Sequence, residues 1–251
     1  WRGPNEDGHA PEGNYPIRWG EHQNITWRTF LVPGKGHSSP VVQNGKIWLT
    51  SAVETPATEE EKAARVKQSK FPGAAGLHYL SKVAFFAIQL DLSNGDILKE
   101  VKVFEERNPQ AIHRLNSYAS PSPLLVKGKL FVHFGTFGTA CLDAVTGHLI
   151  WKNQDSNLRI HHENGPGSTP ICWDGLLIFH LDGTDKQSVV ALNQQTGKLI
   201  WQTPRSGKLK ENPQTKKAYA TPVIAETEKG PVLISNGADW VYGYDPKSGK
   251  E

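Results

Sequence analysis

The sequence contains no methionine, only two cysteines and no long apolar run. Only 37% of its residues are hydrophobic, and no stretch approaches the roughly 20 apolar residues that a membrane-spanning helix needs. The sequence therefore predicts no transmembrane segment. Two cysteines cannot build a disulfide scaffold in 251 residues, and we expect both thiols, Cys141 and Cys172, to be buried.

The chain also lacks a strong charge of either sign. It has 28 basic and 25 acidic residues, a net charge of +3, and these charges are dispersed along the chain. Nucleic-acid-binding domains carry a concentrated basic surface, so this composition argues against nucleic acid as a partner. The missing methionine and the start at Trp1 predict a processed chain or a fragment, and we favour removal of a signal peptide as the explanation.

A short turn motif recurs four times at a nearly constant interval. Each copy has an apolar residue, then Asp or Asn, three loop residues and Gly. The motif suits a tight hairpin, because the Asx side chain caps its own backbone and Gly takes the positive-φ position. A period of about 50 residues predicts an array of like units. The copies end at Gly95, Gly147, Gly197 and Gly249, which are 52, 50 and 52 residues apart.

A second signal with the same period lies upstream of each turn. Ser-Pro or Thr-Pro opens a short apolar run, and in three copies a Gly follows five residues after the Pro and a second β-rich run begins. Each unit therefore reads as four short antiparallel strands, A to D, with the Asx-to-Gly turn between C and D. These features predict an all-β protein, a β-propeller of four-stranded antiparallel blades with four units visible. The four prolines are Pro40, Pro123, Pro170 and Pro222.

The Asp-x-x-Thr-Gly-x-x-x-Trp motif at 143–151 and the Ser/Thr-Pro openings resemble the pyrroloquinoline-quinone-like (PQQ-like) β-propeller repeat. This family occurs in quinoprotein dehydrogenases and in the lipoprotein of the outer-membrane β-barrel assembly machinery. The resemblance covers nearly the whole chain and implies a ring of seven or eight blades. It also implies that Trp27, Trp151 and Trp201 dock against neighbouring blades. The first unit departs from the pattern, with Lys99-Glu100 where others have Ile-Trp.

The repeats divide a single propeller domain or fragment, 1–251, into an N-terminal segment and four blades. The two ends are complementary, because Trp27 matches a strand D without strands before it, and the last unit ends where its strand D should begin. Either the four units close into a ring, or the chain is a fragment of a larger ring, which we favour. The predicted boundaries are 1–31 for the N-terminal segment with a closing strand, then 32–104, 105–154, 155–204 and 205–251 (incomplete).

One insertion interrupts the first unit. About thirty extra residues, near 53–81, separate its strands B and C. The centre, Thr58 to Gln68, has an N-cap residue, acidic residues in its first turn and basic residues near its end, which predicts a short helix. The helix is either surface decoration or a lid or partner-docking element.

The predicted ligand pocket lies where the connections from strand D to the next strand A converge on one face. In the quinoprotein relatives the cofactor lies on this axis, so both the resemblance and the geometry place a pocket there. Of these residues, we expect His37 to bond a neighbouring carbonyl and both tyrosines to be structural plugs. The candidate residues are His37, Asn116, Tyr118, His161, His162, Glu163, Asn164, Lys217 and Tyr219.

Signatures of catalysis and metal binding are incomplete. His161 and Glu163 could share one face of an extended segment, but a closed metal site needs three or four ligands, so we expect no metal. The sequence contains no Gly-x-Ser-x-Gly elbow, His-Glu-x-x-His pair or phosphate loop. No catalytic residue is assigned.

Two functional classes remain open at this stage. The first is an exported, periplasmic or secreted bacterial propeller that binds protein, polysaccharide or a small ligand, without catalysis and without a cofactor. The second is a fragment of a quinoprotein dehydrogenase that uses PQQ with Ca²⁺. Those enzymes carry a vicinal Cys-Cys pair, whereas Cys141 and Cys172 are 31 residues apart. We therefore favour binding over catalysis.

Overall fold

The computed structural model describes residues 8–30 and 32–251, and four consecutive antiparallel sheets form its framework. The first sheet contains β1 (Val41–Gln43), β2 (Lys46–Pro56), β4 (Leu80–Asp91) and β5 (Ile97–Arg107). The second contains β7 (Leu124–Val126), β8 (Lys129–His133), β9 (Thr139–Asp143) and β10 (Leu149–Asn153). The third contains β11 (Ile171–Trp173), β12 (Leu176–Asp182), β13 (Gln187–Asn193) and β14 (Leu199–Pro204). The fourth contains β15 (Val223–Thr227), β16 (Gly230–Asn236) and β17 (Val241–Tyr244).

The remaining elements are short. The strands β3 (Leu77–His78) and β6 (Ile112–His113) form a separate two-stranded sheet. One α-helix, α1, spans Glu59–Gln68. Four 3₁₀ turns, Ala74–Gly76, Gly135–Phe137, Ser156–Leu158 and Pro213–Thr215, are the other helical segments of the described residues. The four-stranded antiparallel units that the sequence predicts are therefore confirmed in the first three sheets, and the fourth has three strands among the described residues.

Two-residue turns join the first two strands of the first three sheets. In the first sheet, Asn44 and Gly45 have φ values of 51° and 70°. Positive φ at both central positions defines the type I′ turn, whose twist matches that of the flanking strands. The turns Lys127-Gly128 and Asp174-Gly175 repeat this geometry.

The Asx-to-Gly turns form as the sequence predicts. In the second sheet, Asp143 Oδ1 accepts hydrogen bonds from the backbone N–H groups of Val145 (3.0 Å) and Thr146 (2.7 Å). Gly147 closes the turn with φ 79°, a conformation that costs residues with a Cβ about 1–2 kcal/mol. Backbone and side chain together define the turn, so its local sequence is sufficient to predict it.

Tryptophans near the start of the outer strands contact the turn of the following sheet. Trp151 Nε1 donates a hydrogen bond to the carbonyl of Gln194 at 2.9 Å. The indole ring covers Gly197, where a Cβ would overlap it. Asn153 Nδ2 donates to the Gly197 carbonyl at 2.8 Å. The second and third sheets are therefore joined through one turn.

The same contact recurs at two other positions. Trp201 Nε1 donates to the Pro246 carbonyl at 3.2 Å, which joins the third sheet to the fourth. Trp27 Nε1 donates to the Leu92 carbonyl at 2.8 Å, on the turn of the first sheet. In the first sheet itself, strand pairing places Lys99 opposite Gln89, the position that Trp151 and Trp201 hold in their sheets. The departure from the repeat is thus Leu98-Lys99, one residue earlier than the sequence comparison indicated.

The helical insertion is shorter than the sequence predicted. The strands β2 and β4 stay paired as far as Pro56 and Leu80, so both ends of the segment 53–81 are strand rather than insertion. Thr58 caps α1 with a reciprocal capping box to Glu61, which satisfies two backbone donors. The paired strands β2 and β4 therefore extend beyond the rest of the first sheet and hold both ends of the segment that contains α1.

The apolar cores lie between successive sheets. One buried cluster combines residues of the first and second sheets, a second combines the second and third, and a third combines the third and fourth. Phe85 is the centre of an aromatic group in the first cluster, with ring centroids 4.8 Å from Phe134 and 5.3 Å from Phe137. The sheets therefore stack face to face, as propeller blades do.

Two sequence expectations need correction here. Cys141 is buried, but Cys172 is only half-buried, because β11 is a short first strand with partly exposed residues throughout. The predicted closing strand around Trp27 forms no strand pairing among the described residues, and in that part of the chain β17 pairs only with β16. A larger ring therefore stays a prediction.

Candidate functional site

Three loops meet at one end of the second and third sheets, and we call this surface the loop face. They are residues 108–123, 154–170 and 205–222, and each connects the last strand of one sheet to the first strand of the next. Hydrogen bonds hold them together, including Ser122 N to Thr169 Oγ1 at 3.0 Å and Ser168 Oγ to the Ala220 carbonyl at 2.7 Å. The backbone of this surface is therefore well defined.

Asparagine side chains link the three loops. Asn116 Nδ2 donates hydrogen bonds to the carbonyls of Asn164 (2.6 Å) and Pro166 (3.1 Å). Asn164 Nδ2 donates to Tyr219 Oη at 2.6 Å. Tyr219 is 41% exposed, so its ring is available to a partner at the surface. The prediction that Tyr219 is a structural plug is not supported by this exposure.

Three titratable side chains of the loop face are linked in a row by two ion-pair contacts. His161 Nδ1 lies 3.1 Å from Glu163 Oε1, and Lys217 Nζ lies 3.4 Å from Glu163 Oε2. The Glu163 and Lys217 side chains are buried, whereas that of His161 is 58% exposed. Buried charges are stable when they are paired, so this arrangement presents His161 to solvent on a rigid support.

The pKa values follow from these contacts. Burial opposes ionisation of Glu163, but the hydrogen bond with His161, the backbone and Lys217 outweigh it and lower the pKa of Glu163 to about 2. The same hydrogen bond raises the pKa of His161. Burial, with Lys217 nearby, lowers the pKa of His162 to about 4. At neutral pH the site therefore contains the Glu163 carboxylate and the neutral, buried His162 imidazole.

His162 is held inside the loop face. Its ring makes an edge-to-face contact with Tyr219, with centroids 5.1 Å apart, and its backbone N–H donates to Gln110 Oε1 at 3.0 Å. Its Nδ1 atom has no hydrogen-bond partner among the described residues. His162 and His180 both line a small cavity of about 20 Å³, which has room for about one water molecule.

Two of the predicted site residues lie away from this cluster. His37 is exposed, and it is its backbone N–H that bonds a neighbouring carbonyl, that of Ala119, at 3.1 Å. Tyr118 is fully buried in the first aromatic cluster, and its Oη donates to the Gln110 carbonyl at 2.9 Å. Neither side chain is shown in contact with the Glu163 cluster.

A cleft of about 230 Å³ separates the C-terminal half of α1 from the loop face. Arg65 is fixed on the helix side, because its guanidinium bonds the carbonyls of Leu80 and Pro109 and stacks over the Tyr79 ring at 5.0 Å. On the other side the cleft is lined by His161 and Glu163. The insertion and two of the predicted pocket residues, His161 and Glu163, thus line one concave surface.

The predicted site contains only His161 and Glu163 of the residues that line this cleft, and it misses, among others, Arg65, Tyr79 and Gln110. Gln110 lines the cleft and also positions His162. The insertion was a signal that this region differs from the other units. No sequence pattern, however, indicated that α1 approaches residues almost a hundred positions away.

Comparisons with known proteins agree with this architecture. Residues 80–203 match the family model described as outer membrane protein assembly factor BamB. The quinone alcohol dehydrogenase subunit of Gluconobacter oxydans (strain 621H) is 28% identical over 142 residues, which cover 51% of this chain and 18% of that protein.

Two solved structures illustrate the likeness further. BamB from Moraxella catarrhalis is 19% identical, with a TM-score of 0.45, and the match covers 70% of this chain and 48% of that one. Quinohemoprotein alcohol dehydrogenase from Comamonas testosteroni is 15% identical, with a TM-score of 0.45 and coverage of 87% and 42%. The chain spans less than half the length of each of these relatives.

Stacked four-stranded antiparallel sheets, tied by Asx-to-Gly turns, define a β-propeller protein. Together with the match over 80–203, these features make the chain similar to the PQQ-like repeat family that includes BamB. Among the described residues, no helix is long and apolar enough to cross a membrane.

Proposed function

We propose that this chain is an exported, non-catalytic β-propeller module that binds a protein partner through the loop face and the cleft beside α1. The observation that carries the proposal is the preorganised His161–Glu163–Lys217 chain next to exposed Tyr219. An exposed tyrosine on a preorganised surface is typical of protein-binding sites, where tyrosine is enriched. The match to an outer-membrane assembly factor supports both a protein partner and export.

The arrangement of histidines supports a role without catalysis. One common form of nucleophilic catalysis uses a histidine beside a hydroxyl or thiol that substrate can reach. The two histidine–hydroxyl pairs that the structure records are His133 with Thr139 and His180 with Ser235, both at 2.8 Å. All four residues are buried, so a substrate has no access to them.

Site-specific photo-crosslinking in the native cells tests this proposal. A photoreactive phenylalanine analogue at Tyr219 should give one discrete adduct, and the same analogue at exposed Gln195, on a turn at the far end of the third sheet, should give none. His161→Ala should weaken the Tyr219 adduct, because it removes the exposed imidazole of this surface. Equal adducts from both positions, or none from Tyr219, would contradict the proposal. An adduct that contains glycan and no protein would contradict a protein partner and indicate a polysaccharide ligand.

A quinone-dependent dehydrogenase is the second candidate, because of the identity with the Gluconobacter oxydans subunit. The donor groups do not fit Ca²⁺, which takes about 6–8 oxygen ligands. Among the described residues, no three His, Cys, Asp or Glu side chains are close enough to hold a metal ion. We therefore assign no step to a quinone in this chain. Retention of PQQ after dialysis in the presence of Ca²⁺, with dye-linked alcohol oxidation, would favour this second candidate.

A further inference from the structure

The first and second sheets meet without the tryptophan that joins the other sheets. Strand pairing aligns Trp151 with Cys141 and Trp201 with Ala191, each next to a break in register. In the first sheet Lys99 lies at this position, opposite Gln89 and next to the same kind of break. The substitution is therefore a true exchange of Trp for Lys at one structural position.

The hydrogen bond of the missing indole is made by other residues. In three turns, the carbonyl one residue after the Asx accepts a docking tryptophan N–H. The equivalent carbonyl here is that of Ala144, which accepts from Trp48 Nε1 and from Gln89 Nε2, both at 3.2 Å. Trp48, Gln89 and Lys99 form one cross-strand row. The tryptophan that donates to this turn therefore lies on β2, two strands away from β5, where the equivalent position is Lys99.

This exchange is accompanied by an open cleft between the two sheets. Its volume is about 430 Å³, within the range of roughly 300–1,000 Å³ of small-molecule sites. The alkyl chain of Lys99 lies against Gly147, whereas full indole rings cover the equivalent Gly197 and Gly249. The cleft walls include Trp48, Leu98, Leu125 and Val145.

Two lysines, Lys46 and Lys99, line the cleft, and one of them has an acidic partner. Lys46 Nζ is paired with Asp91 Oδ2 at 2.6 Å. Lys99 makes no ion pair with any described residue, although it lines the same cleft. An amine beside an apolar slot suits a ligand with a flat apolar body and one anionic group.

We propose that this cleft binds a small planar aromatic carboxylate. The aromatic body lies against Leu98, Leu125 and Val145, beside the alkyl chain that Lys99 places where the other sheets have an indole. The carboxylate accepts a charge-assisted hydrogen bond from Lys99 Nζ. The site is separate from the loop face, because its walls belong to strand rows and turns at the opposite end of the sheets.

Calorimetric titration of the full chain with indole-3-acetate as the probe tests the proposal. Wild type should bind one equivalent, with an affinity in the millimolar range or tighter. Lys99→Gln should weaken indole-3-acetate binding roughly tenfold but leave neutral indole unaffected, because only the charged hydrogen bond is lost. Lys198→Gln, at an exposed turn of the third sheet, is the matched control and should bind like wild type.

A second variant tests whether the probe binds inside the cleft. Lys99→Trp restores the repeat's own tryptophan, so it should fill the cleft, abolish probe binding and leave the melting temperature unchanged or higher. Absence of binding to wild type, or full binding to folded Lys99→Trp, would overturn the proposal. Binding of an acidic tryptophan-containing peptide in place of the free acid would also overturn it, in favour of a protein ligand.

Discussion

At the residue scale, the structure depends on contacts between a tryptophan and a glycine of the next sheet. Gly197 combines a positive φ of 68° with an indole ring packed directly against its Cα. Gly175 has a similar φ of 80°, but no atom lies within 4 Å of the position that a Cβ would occupy there. A comparison of substitutions at these two glycines therefore distinguishes the cost of backbone strain from the cost of displacing the tryptophan ring.

We predict that Gly197→Ala destabilises the protein more than Gly175→Ala. The Gly175 variant should lose about 1 kcal/mol of unfolding free energy, from backbone strain alone. The Gly197 variant should lose about 1–3 kcal/mol more, because the added methyl displaces the Trp151 ring. Urea unfolding measures both losses. Equal losses would show that the indole contact contributes nothing.

Buried histidines make stability depend on pH. Burial lowers the pKa of His133 and His180 to about 3, with Arg205 adding to the effect at His180, and burial lowers that of His162 to about 4. Between pH 6.5 and 4 the unfolded chain binds protons that the folded chain does not, so stability falls as pH falls.

We predict that these three histidines together lower the unfolding free energy by roughly 4 kcal/mol per pH unit between about pH 6 and pH 4, since each contributes about 1.4 kcal/mol per unit. Chemical denaturation at a series of pH values measures the slope. His133→Gln should reduce the slope by about a third, because one titrating group is removed. An unchanged slope in this variant would contradict the assignment.

At the element scale, the side chain of Arg65 bonds α1 to the neighbouring backbone. The helix has no buried residue, so its packing contributes little. Arg65 bonds the carbonyls of Leu80 and Pro109 and stacks on Tyr79. The position of α1, and with it one wall of the cleft, therefore depends on Arg65.

We predict that Arg65→Ala releases α1 while the sheets stay folded. Hydrogen exchange of the amides in 59–68 should accelerate by roughly tenfold or more, because hydrogen bonds from a charged group are lost. Lys67→Ala, at an exposed position of the same helix, is the control and should change little. Unchanged exchange in Arg65→Ala would mean that other contacts hold the helix.

At the scale of the whole molecule, a buried ion pair joins the third and fourth sheets. Arg205 makes two hydrogen bonds of 2.7 Å to Asp182, and both side chains are 1% exposed. Arg205 Nη1 also donates to Ser235 of the fourth sheet at 2.8 Å. The guanidinium lies 4.9 Å from the Tyr242 ring centroid, so one cation contacts two strands of the fourth sheet.

We predict that Asp182→Asn costs about 3–5 kcal/mol, because Arg205 would remain as an unpaired buried charge. The fourth sheet should become the first target of limited proteolysis. Asp174→Asn is the matched control, since Asp174 forms a distant, exposed pair with Lys247 at 3.8 Å, and it should cost less than about 0.5 kcal/mol. Similar losses in both variants would show that the buried pair does not join the sheets.

The repeats, the turns and the all-β class could be predicted from the sequence because their determinants are local. Asp143 and Gly147 are four positions apart, and their hydrogen bonds and φ preference define the turn without help from the rest of the chain. The N-cap of α1 was predictable for the same reason, since Thr58 and Glu61 complete it alone. The loop-face residues Asn116, Asn164 and Tyr219 were predictable from the period, which places equivalent connections at one end of the sheets.

Only the tertiary structure decided which of these residues meet and what they form. Trp48 reaches the Ala144 carbonyl from 96 positions away, and Lys217 reaches Glu163 from 54 positions away. Such contacts depend on how side chains of successive sheets pack, and a local pattern contains no information about that packing. For this reason the period groups His37 and Tyr118 with the loop-face residues, although their side chains lie away from the Glu163 cluster. The cleft beside α1 and the cleft beside Lys99 arise between elements that the sequence describes only separately.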